Sequence, residues 1–461
     1  MWDVGVNEPV LVVGGGLAGS EAAWQLAEAG IRVVVAEMRP TTATPVHRSG
    51  RLAELVCSNS LRGDSPTNAV GLLKREMAAL DSLIIRCARA AAVPAGGALA
   101  VDRDRFADAV TDAVTRHPRI TIERREVEEL PDGPAVVATG PLTSPALHRA
   151  LAALLGEDAL AFYDAIAPIV VADSLDTSRL FRGSRYDKGG SDHYLNAAMD
   201  RSRYEHFVGL LLSAEKVPFK SFEFEDIRYF EGCLPIEVMA ERGLDTLRFG
   251  PMKPVGLSDP ATGRRPYAVV QLRQDDLAAE HWNIVGFQTK LTPAEQARVF
   301  RTIPGLEQAR FVRFGMIHRN TFLNAPAHLD PLLRLRRRSG LCVAGQLTGI
   351  EGYVESAATG LMVARTLAAE LAGGSPPPPP QGTAMGGLVR HLTERSPHGF
   401  QPANISWGLI ATPPELAAMR SRRERRERHA LLAVERIRHW AASLEGPGVG
   451  RPETATRSSG G

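Results

Sequence analysis

The stretch "VLVVGGGLAGSEAAWQLAEAG", Val10 to Gly30, constrains the fold more than any other segment of this chain. Val10 to Val13 are an unbroken apolar run, as expected of a strand buried on both faces of a parallel sheet. Gly14, Gly16 and Gly19 then give G-x-G-x-x-G, with Gly15, Leu17 and Ala18 between them. Ala22, Ala23, Leu26 and Ala27 predict the apolar face of a helix, which Gly30 closes. "IRVVVAE" supplies a second strand ending in Glu37. Each part of this βαβ unit has a task in holding a dinucleotide. Gly14 permits the tight turn, Gly16 lets a diphosphate approach the backbone, and Gly19 lets helix and strand pack closely. The free N–H groups of the first helical turn face the anion. Glu37, roughly 20 residues beyond the glycines, is placed to hold ribose hydroxyls. The bland alternative is a glycine-rich turn without a ligand.

Two later segments favour FAD over NAD. In "GPAVVATGPLTS", Val136 and Val137 read as a short strand running into Ala138-Thr139-Gly140, a habit of two-dinucleotide flavoproteins near the FAD-binding crossover. In "SGLCVAGQLTGIEGYVESAATGLMVARTLAAEL", Leu341 to Ala344 read as a strand. Gly345, Gly349 and Gly352, with Glu351, make a turn, and a helix runs from about Ser356. In such proteins this late unit returns to the first domain and covers the flavin. No second complete GxGxxG occurs, so a nicotinamide nucleotide would bind without a fingerprint of its own.

The expected fold class is therefore α/β: an FAD-binding Rossmann-like domain with an inserted α+β domain. The 461 residues are enough for two or three domains. Residues 8–171 and 315–374 are expected to form the two parts of the FAD domain. Residues 172–314 form the insertion, with strand signals in "TLRFG", "YAVVQLRQ" and "WNIVGFQ" and helices in "RYEHFVGLLLSAEK" and "PAEQARVFRTI". Pro376 to Pro380 read as a stiff spacer opening a C-terminal helical segment, 375–445, that packs on the FAD domain. Residues 446–461 read as a disordered tail.

Charge excludes little, because Lys and Arg number 54 against 52 Asp and Glu. A polyanion site must then be a local patch. The candidates are Arg334, Arg336, Arg337 and Arg338 in "LRLRRRSG", and the arginines of "MRSRRERRERHALLAVERIRHW". The second run is interrupted by Glu424 and Glu427 and reads more readily as a solvated helix laced by Glu–Arg pairs. No signal peptide is read in the first residues, and no run nears the roughly 20 apolar residues that cross a membrane. The expected compartment is the cytoplasm.

Four cysteines, Cys57, Cys87, Cys233 and Cys342, lie far apart with no CxxC pair, so neither a disulfide framework nor a metal site is expected. Cys342 lies within a strand and Cys87 in the helical "SLIIRCARAA"; both read as inert core thiols. Cys57 in "AELVCSNSLRG" opens onto a polar turn. Cys233 in "YFEGCLPIEVMAERG" precedes a helix that Pro235 starts and Gly243 ends. A helix start lowers a thiol's pKa, so Cys233 reads as a nucleophile or, equally, as a cysteine packed beside Leu234.

The blocks "ELVCSNSLRG", "AVGLLKREM", "VPAGGALAVDR", "YFEGCLPIEVMAERG", "FGPMKPVGL", "PYAVVQLRQDD", "IPGLEQARFVRFG" and "GQLTGIEGYVESAATGL" together resemble the TrmFO family of folate- and FAD-dependent tRNA uracil-5-methyltransferases. The likeness runs from about Val10 to Leu409. It departs at Ala197-Ala198, at Ala403 and at Ser406-Trp407, which touches local packing rather than the fingerprint or the cysteines. The resemblance implies methylation of C5 of the T-loop uridine of tRNA. It implies 5,10-methylenetetrahydrofolate as carbon donor, NADPH (or NADH) as reductant, a flavin N5 methylene iminium and a cysteine–uracil adduct. Cys233 matches the family's proposed nucleophile, and Cys57 its second functional cysteine, which handles the C5 proton. Membrane and metal partners are not implied. Three alternatives belong to other classes: an MnmG-like wobble-uridine enzyme, an NAD(P)H-dependent flavin oxidoreductase acting on small molecules, and a non-catalytic tRNA-binding flavoprotein. The first usually carries a longer C-terminal helical domain; the second leaves the Cys233 block and the arginines unexplained; the third has no use for the cysteine pair.

Overall fold

The structure is a computed structural model that describes residues 8–44, 46–156, 160–185, 193–217, 234–398 and 400–445, with backbone only for 160–165 and 317–319. Cys233 and the expected tail, 446–461, lie outside the described residues.

The apolar runs form the strands expected of them. β1 (Val10–Val13), α1 (Leu17–Glu28) and β2 (Val33–Ala36) make the βαβ unit, and β1 is parallel to β2 with Val12 opposite Val35. β1 also pairs in parallel with Ala135–Val137, which pairs in parallel with Arg338–Val343. The six-stranded sheet runs Arg334–Leu335, Arg338–Val343, Ala135–Val137, β1, β2, Ile120–Glu123; only its first strand is antiparallel. Chain order reverses between β1 and Ala135–Val137, so the crevice beyond their carboxyl ends is a topological switch point, where ligands of such sheets bind.

The helix Tyr353–Leu371 packs on α1, and Gly360 makes that contact close. A Cβ at Gly360 would lie 2.2 Å from the Ala18 carbonyl oxygen. The C-terminal elements share the same core. The helices Ala384–Thr393 and Arg422–Leu444 contact α2 (Ala69–Ala78), and Trp440 Nε1 donates to the Pro377 carbonyl, seating the proline run. Glu76 of α2 caps the first of these helices by accepting from Ala384 and Met385 N–H at 2.7 and 2.9 Å.

A second core lies under a six-stranded antiparallel sheet, ordered Leu180–Arg182, Tyr194–Met199, Ala268–Gln274, His281–Ile284, Ile169–Val171, Phe311–Arg313. The helices Arg201–Ser213 and Pro293–Phe300 supply Tyr204, Phe207, Val299 and Phe300 to that core. The chain enters and leaves through a two-stranded antiparallel ribbon, Leu160–Ile166 with Met316–Phe322. Ile169–Val171 already belongs to the second sheet, three residues before the point where composition changes.

One local expectation is corrected. "TLRFG" is not a strand but a single helical turn, Thr246–Phe249. Its alternation is too short to separate a period of two from one of 3.6. Leu247 is buried, Arg248 lies over the Tyr267 ring at 3.5 Å, and the Gly250-Pro251 pair stops the turn.

Candidate functional site

The crevice is built from the backbone first. Gly14 has φ +101°, and a Cβ there would stand 2.6 Å from the Ala138 carbonyl oxygen, so the turn lies directly against the end of Ala135–Val137. A Cβ at Gly19 would lie 1.8 Å from the Gly14 carbonyl oxygen, which is the close packing the motif requires. A Cβ at Gly16 would meet nothing within 4 Å. Gly16 is the N-cap of α1, and no side chain caps that helix. An open approach over an uncapped helix start fits a dinucleotide's diphosphate.

Glu37 lies beneath the same turn. Its Oε2 accepts from Gly15 N–H at 2.8 Å, and its Oε1 accepts from the backbone N–H and the Nε of Arg39. Burial works against its charge, but the hydrogen bonds and charge of Arg39 prevail and hold the carboxyl below its ordinary pKa. An anchored carboxylate is what ribose hydroxyls need. Gly140 opens the turn Gly140–Leu142 after Ala135–Val137, and Gly345 opens Gly345–Thr348 after Arg338–Val343; these two turns touch. A Cβ at Gly345 would lie 2.9 Å from the Ala18 Cβ. Glu351 and Gly352 stand at the start of Tyr353–Leu371, which also has no side-chain cap. The residues expected to bind FAD thus converge on one crevice.

Cys57 is brought to it. The Tyr353 phenol oxygen accepts from the N–H groups of Cys57 and Ser58 at 2.7 and 3.1 Å. From the start of the helix Arg103–Arg116, Arg103 donates to the carbonyls of Leu55 and Cys57 and pairs at 2.9 Å with Asp275, which directly follows the strand Ala268–Gln274 of the second sheet. From that sheet, Arg273 donates to Ser58 Oγ at 2.7 Å and to Asn59 Oδ1 at 2.9 Å. Farther along the same segment, the buried Lys74 ammonium gathers the carbonyls of Leu61, Arg62 and Gly63, and burial lowers its pKa to about 8. The half-buried Cys57 thus lies on a rigid turn where the two sheets meet. Burial pushes Cys87 up to about 11 and Cys342 up to about 12, as befits inert thiols.

Tyr353, Arg103, Arg273 and Arg313 were not singled out from sequence. An arginine inside an apolar strand pattern, as in "VVQLRQ" and "FVRFG", is the signal that could have found two of them.

The arginines expected to meet RNA have other engagements. Arg334 pairs with Asp330 and Glu370, Arg338 with Asp132, and Arg337 donates to the Leu154 carbonyl at the end of the helix Pro145–Leu155. Only Arg336 of the four has no hydrogen-bond or ion-pair partner for its guanidinium among the described residues, and the turn that carries it lies at the end of the sheet away from the crevice. On the C-terminal helix, Arg423 pairs with Glu427. Arg422, Arg425 and Arg426 instead line a cavity of about 250 Å³ with Trp407 and Thr412. Among the described residues no group of His, Cys, Asp and Glu is placed to hold a metal ion, and no helix is long and apolar enough to cross a membrane.

Comparisons with known proteins agree with this architecture. The model of the family described as "Glucose inhibited division protein A" matches residues 9–375. The methylenetetrahydrofolate--tRNA-(uracil-5-)-methyltransferase TrmFO of Rhizorhabdus wittichii is 56% identical over 434 residues, 93% of this chain and 97% of that protein. The chain belongs to the TrmFO family. The TrmFO of Anoxybacillus flavithermus is 53% identical over 94% of this chain and all of its own length. Among solved structures, Aquifex aeolicus GidA superposes with a TM-score of 0.67 at 16% identity, over 95% of this chain and 75% of that one, which speaks for the fold alone. TrmFO membership sets aside the MnmG-like, small-molecule and non-catalytic alternatives.

Proposed function

We propose that this protein methylates C5 of the T-loop uridine of tRNA, taking the carbon from 5,10-methylenetetrahydrofolate and reducing equivalents from NADPH (or NADH), with FAD as cofactor, in the cytoplasm. The observation that carries the reading is the placement of Cys57 against the dinucleotide crevice, at the seam between the sheets. Gly14, Gly15, Gly16, Leu17, Ala18 and Gly19 would hold the FAD diphosphate, and Glu37 its ribose. Gly140, Gly345, Glu351 and Gly352 would line the flavin end. When bound, the cofactor supplies one-carbon and hydride transfer, chemistry that no side chain provides.

The chain's own part concerns the uracil. Its C5 is a poor nucleophile. A Cys233 thiolate adding to C6 forms the S–C6 bond and moves the C5–C6 π electrons toward the C4 oxygen, so that C5 can attack carbon. After carbon transfer, Cys57 takes the C5 proton, and the S–C6 pair returns to sulfur later, as the C5–C6 double bond re-forms. A proton carrier must keep its distance from C5 through both steps. The Tyr353, Arg103 and Arg273 contacts provide that rigidity.

The reading is tested with purified protein, FAD, NADPH, a tRNA transcript and methylenetetrahydrofolate labelled at the methylene carbon. Label is expected in 5-methyluridine of the T-loop, and S-adenosylmethionine should not replace the folate. Label confined to the anticodon loop, or methylation driven by S-adenosylmethionine, would overturn it.

A further inference from the structure

Arg313 closes the last strand of the second sheet and is 8% exposed, yet its Nη2 is buried without a hydrogen-bond partner. A buried unpaired donor is costly, and natural proteins rarely keep one without a use. The register of Phe311–Arg313 against Ile169–Val171 shifts between Phe311 and Arg313, an irregularity of the sort common beside active sites. The guanidinium lies within electrostatic reach of Cys57, Tyr353, Arg103 and Arg48, and burial lowers its pKa to about 10. Arg103 is neutralised by Asp275. Arg313 has no acid of its own among the described residues, so the seam beside Cys57 carries uncompensated positive charge.

We propose that the free Nη2 of Arg313 donates to the C4 oxyanion of the uracil ring that forms when a cysteine thiolate adds to C6, which makes Arg313 a catalytic residue of the methyl transfer. The inference rests on the methyltransferase reading above. The electron balance is simple. The sulfur lone pair becomes the S–C6 bond, the C5–C6 π pair moves to C4, and the C4 carbonyl pair moves onto oxygen. The charge returns to the ring as C5 bonds carbon. A donor buried and aimed before the charge appears costs no reorganisation at that moment. A cofactor diphosphate is the other anion at hand, but its cradle is the Gly14–Gly19 turn of the first sheet, whereas Arg313 belongs to the second.

The test uses the full-length FAD-loaded protein, folate, NADPH and a tRNA transcript bearing 5-fluorouracil at the target. The rate of forming a denaturation-resistant protein–RNA adduct is read beside FAD content, tRNA affinity and melting temperature. Arg313→Gln should slow the adduct by about 100-fold. Arg313→Lys, which keeps the charge and loses the fork, should fall between. FAD content and tRNA affinity should match wild type in both. An unchanged rate in Arg313→Lys and Arg313→Gln overturns the assignment. Loss of FAD from the well-folded Lys variant overturns it in favour of the diphosphate, and weakened tRNA affinity with an unchanged rate at saturation overturns it in favour of an RNA phosphate. If wild-type protein forms no adduct, the covalent reading itself fails and the role of Arg313 falls with it.

Discussion

At the scale of single residues, the glycine turn separates binding from folding. Gly16 faces open space, so Gly16→Val should leave the melting temperature of the FAD-free protein within a degree or two while the purified protein loses its yellow colour. Gly19→Val drives a methyl-bearing carbon into the Gly14 carbonyl and should lower the melting temperature by many degrees. Absorbance at flavin wavelengths beside a thermal melt checks both; a Gly16→Val protein with full flavin would refute the diphosphate placement. Glu76 gives a pH prediction. Burial pushes its pKa up to about 8, against the two helix N–H groups that favour its charge. The folded protein then keeps this proton up to about pH 8, whereas the unfolded chain releases it near 4.5. Across that window the unfolded state binds fewer protons, so this residue's contribution to stability falls as pH rises, by up to about 1.4 kcal/mol per pH unit. Denaturant unfolding between pH 5 and pH 8 should show a shallower decline in Glu76→Gln than in wild type.

At the scale of elements, the contact between α1 and Tyr353–Leu371 couples the cofactor turn to Cys57, since one helix carries Ala18 and the other Tyr353. Gly360→Val should force them apart, costing about 3 kcal/mol and weakening FAD retention as well. Calorimetry with a flavin titration checks this; full stability would mean that the helices are less tightly apposed. The βαβ unit was legible in sequence because one local pattern specifies strand, turn and helix together. The single turn at Thr246–Phe249 was not, since four residues carry no resolvable period. The partners of Cys57 were not legible either. Arg103, Arg273 and Tyr353 are far from it in the chain, and only the folded seam makes them neighbours. Nothing local in "LRLRRRSG" announces that Asp330, Glu370, Asp132 and the Leu154 carbonyl occupy three of its four arginines.

At the scale of the whole molecule, the crevice lies between two sheets, and the RNA must reach it from outside. We propose that the arginine cavity on the C-terminal helix is the RNA contact. Trp407, over which Arg426 lies at 5.2 Å, donates to the Thr67 carbonyl, in the segment that continues from Cys57. Burial and the like charges of Arg422 and Arg425 lower the Arg426 pKa. Arg422→Ala with Arg425→Ala should weaken tRNA binding about tenfold at moderate salt and reduce the slope of log affinity against log salt by about 1–2. Arg336→Ala with Arg337→Ala should change both less. Filter binding across a salt series decides between the patches, and the reverse ranking would return the RNA contact to Arg336 and Arg337.

The most direct test of the two-cysteine account is the 5-fluorouracil adduct assay on Cys57→Ala and Cys233→Ala, each first shown to retain FAD. Both variants should fail to methylate ordinary tRNA. Cys57→Ala should still form the denaturation-resistant adduct, because addition at C6 precedes proton removal, and Cys233→Ala should form none. An adduct with Cys233→Ala and none with Cys57→Ala would reverse the roles, and full methylation by Cys233→Ala would contradict covalent catalysis altogether.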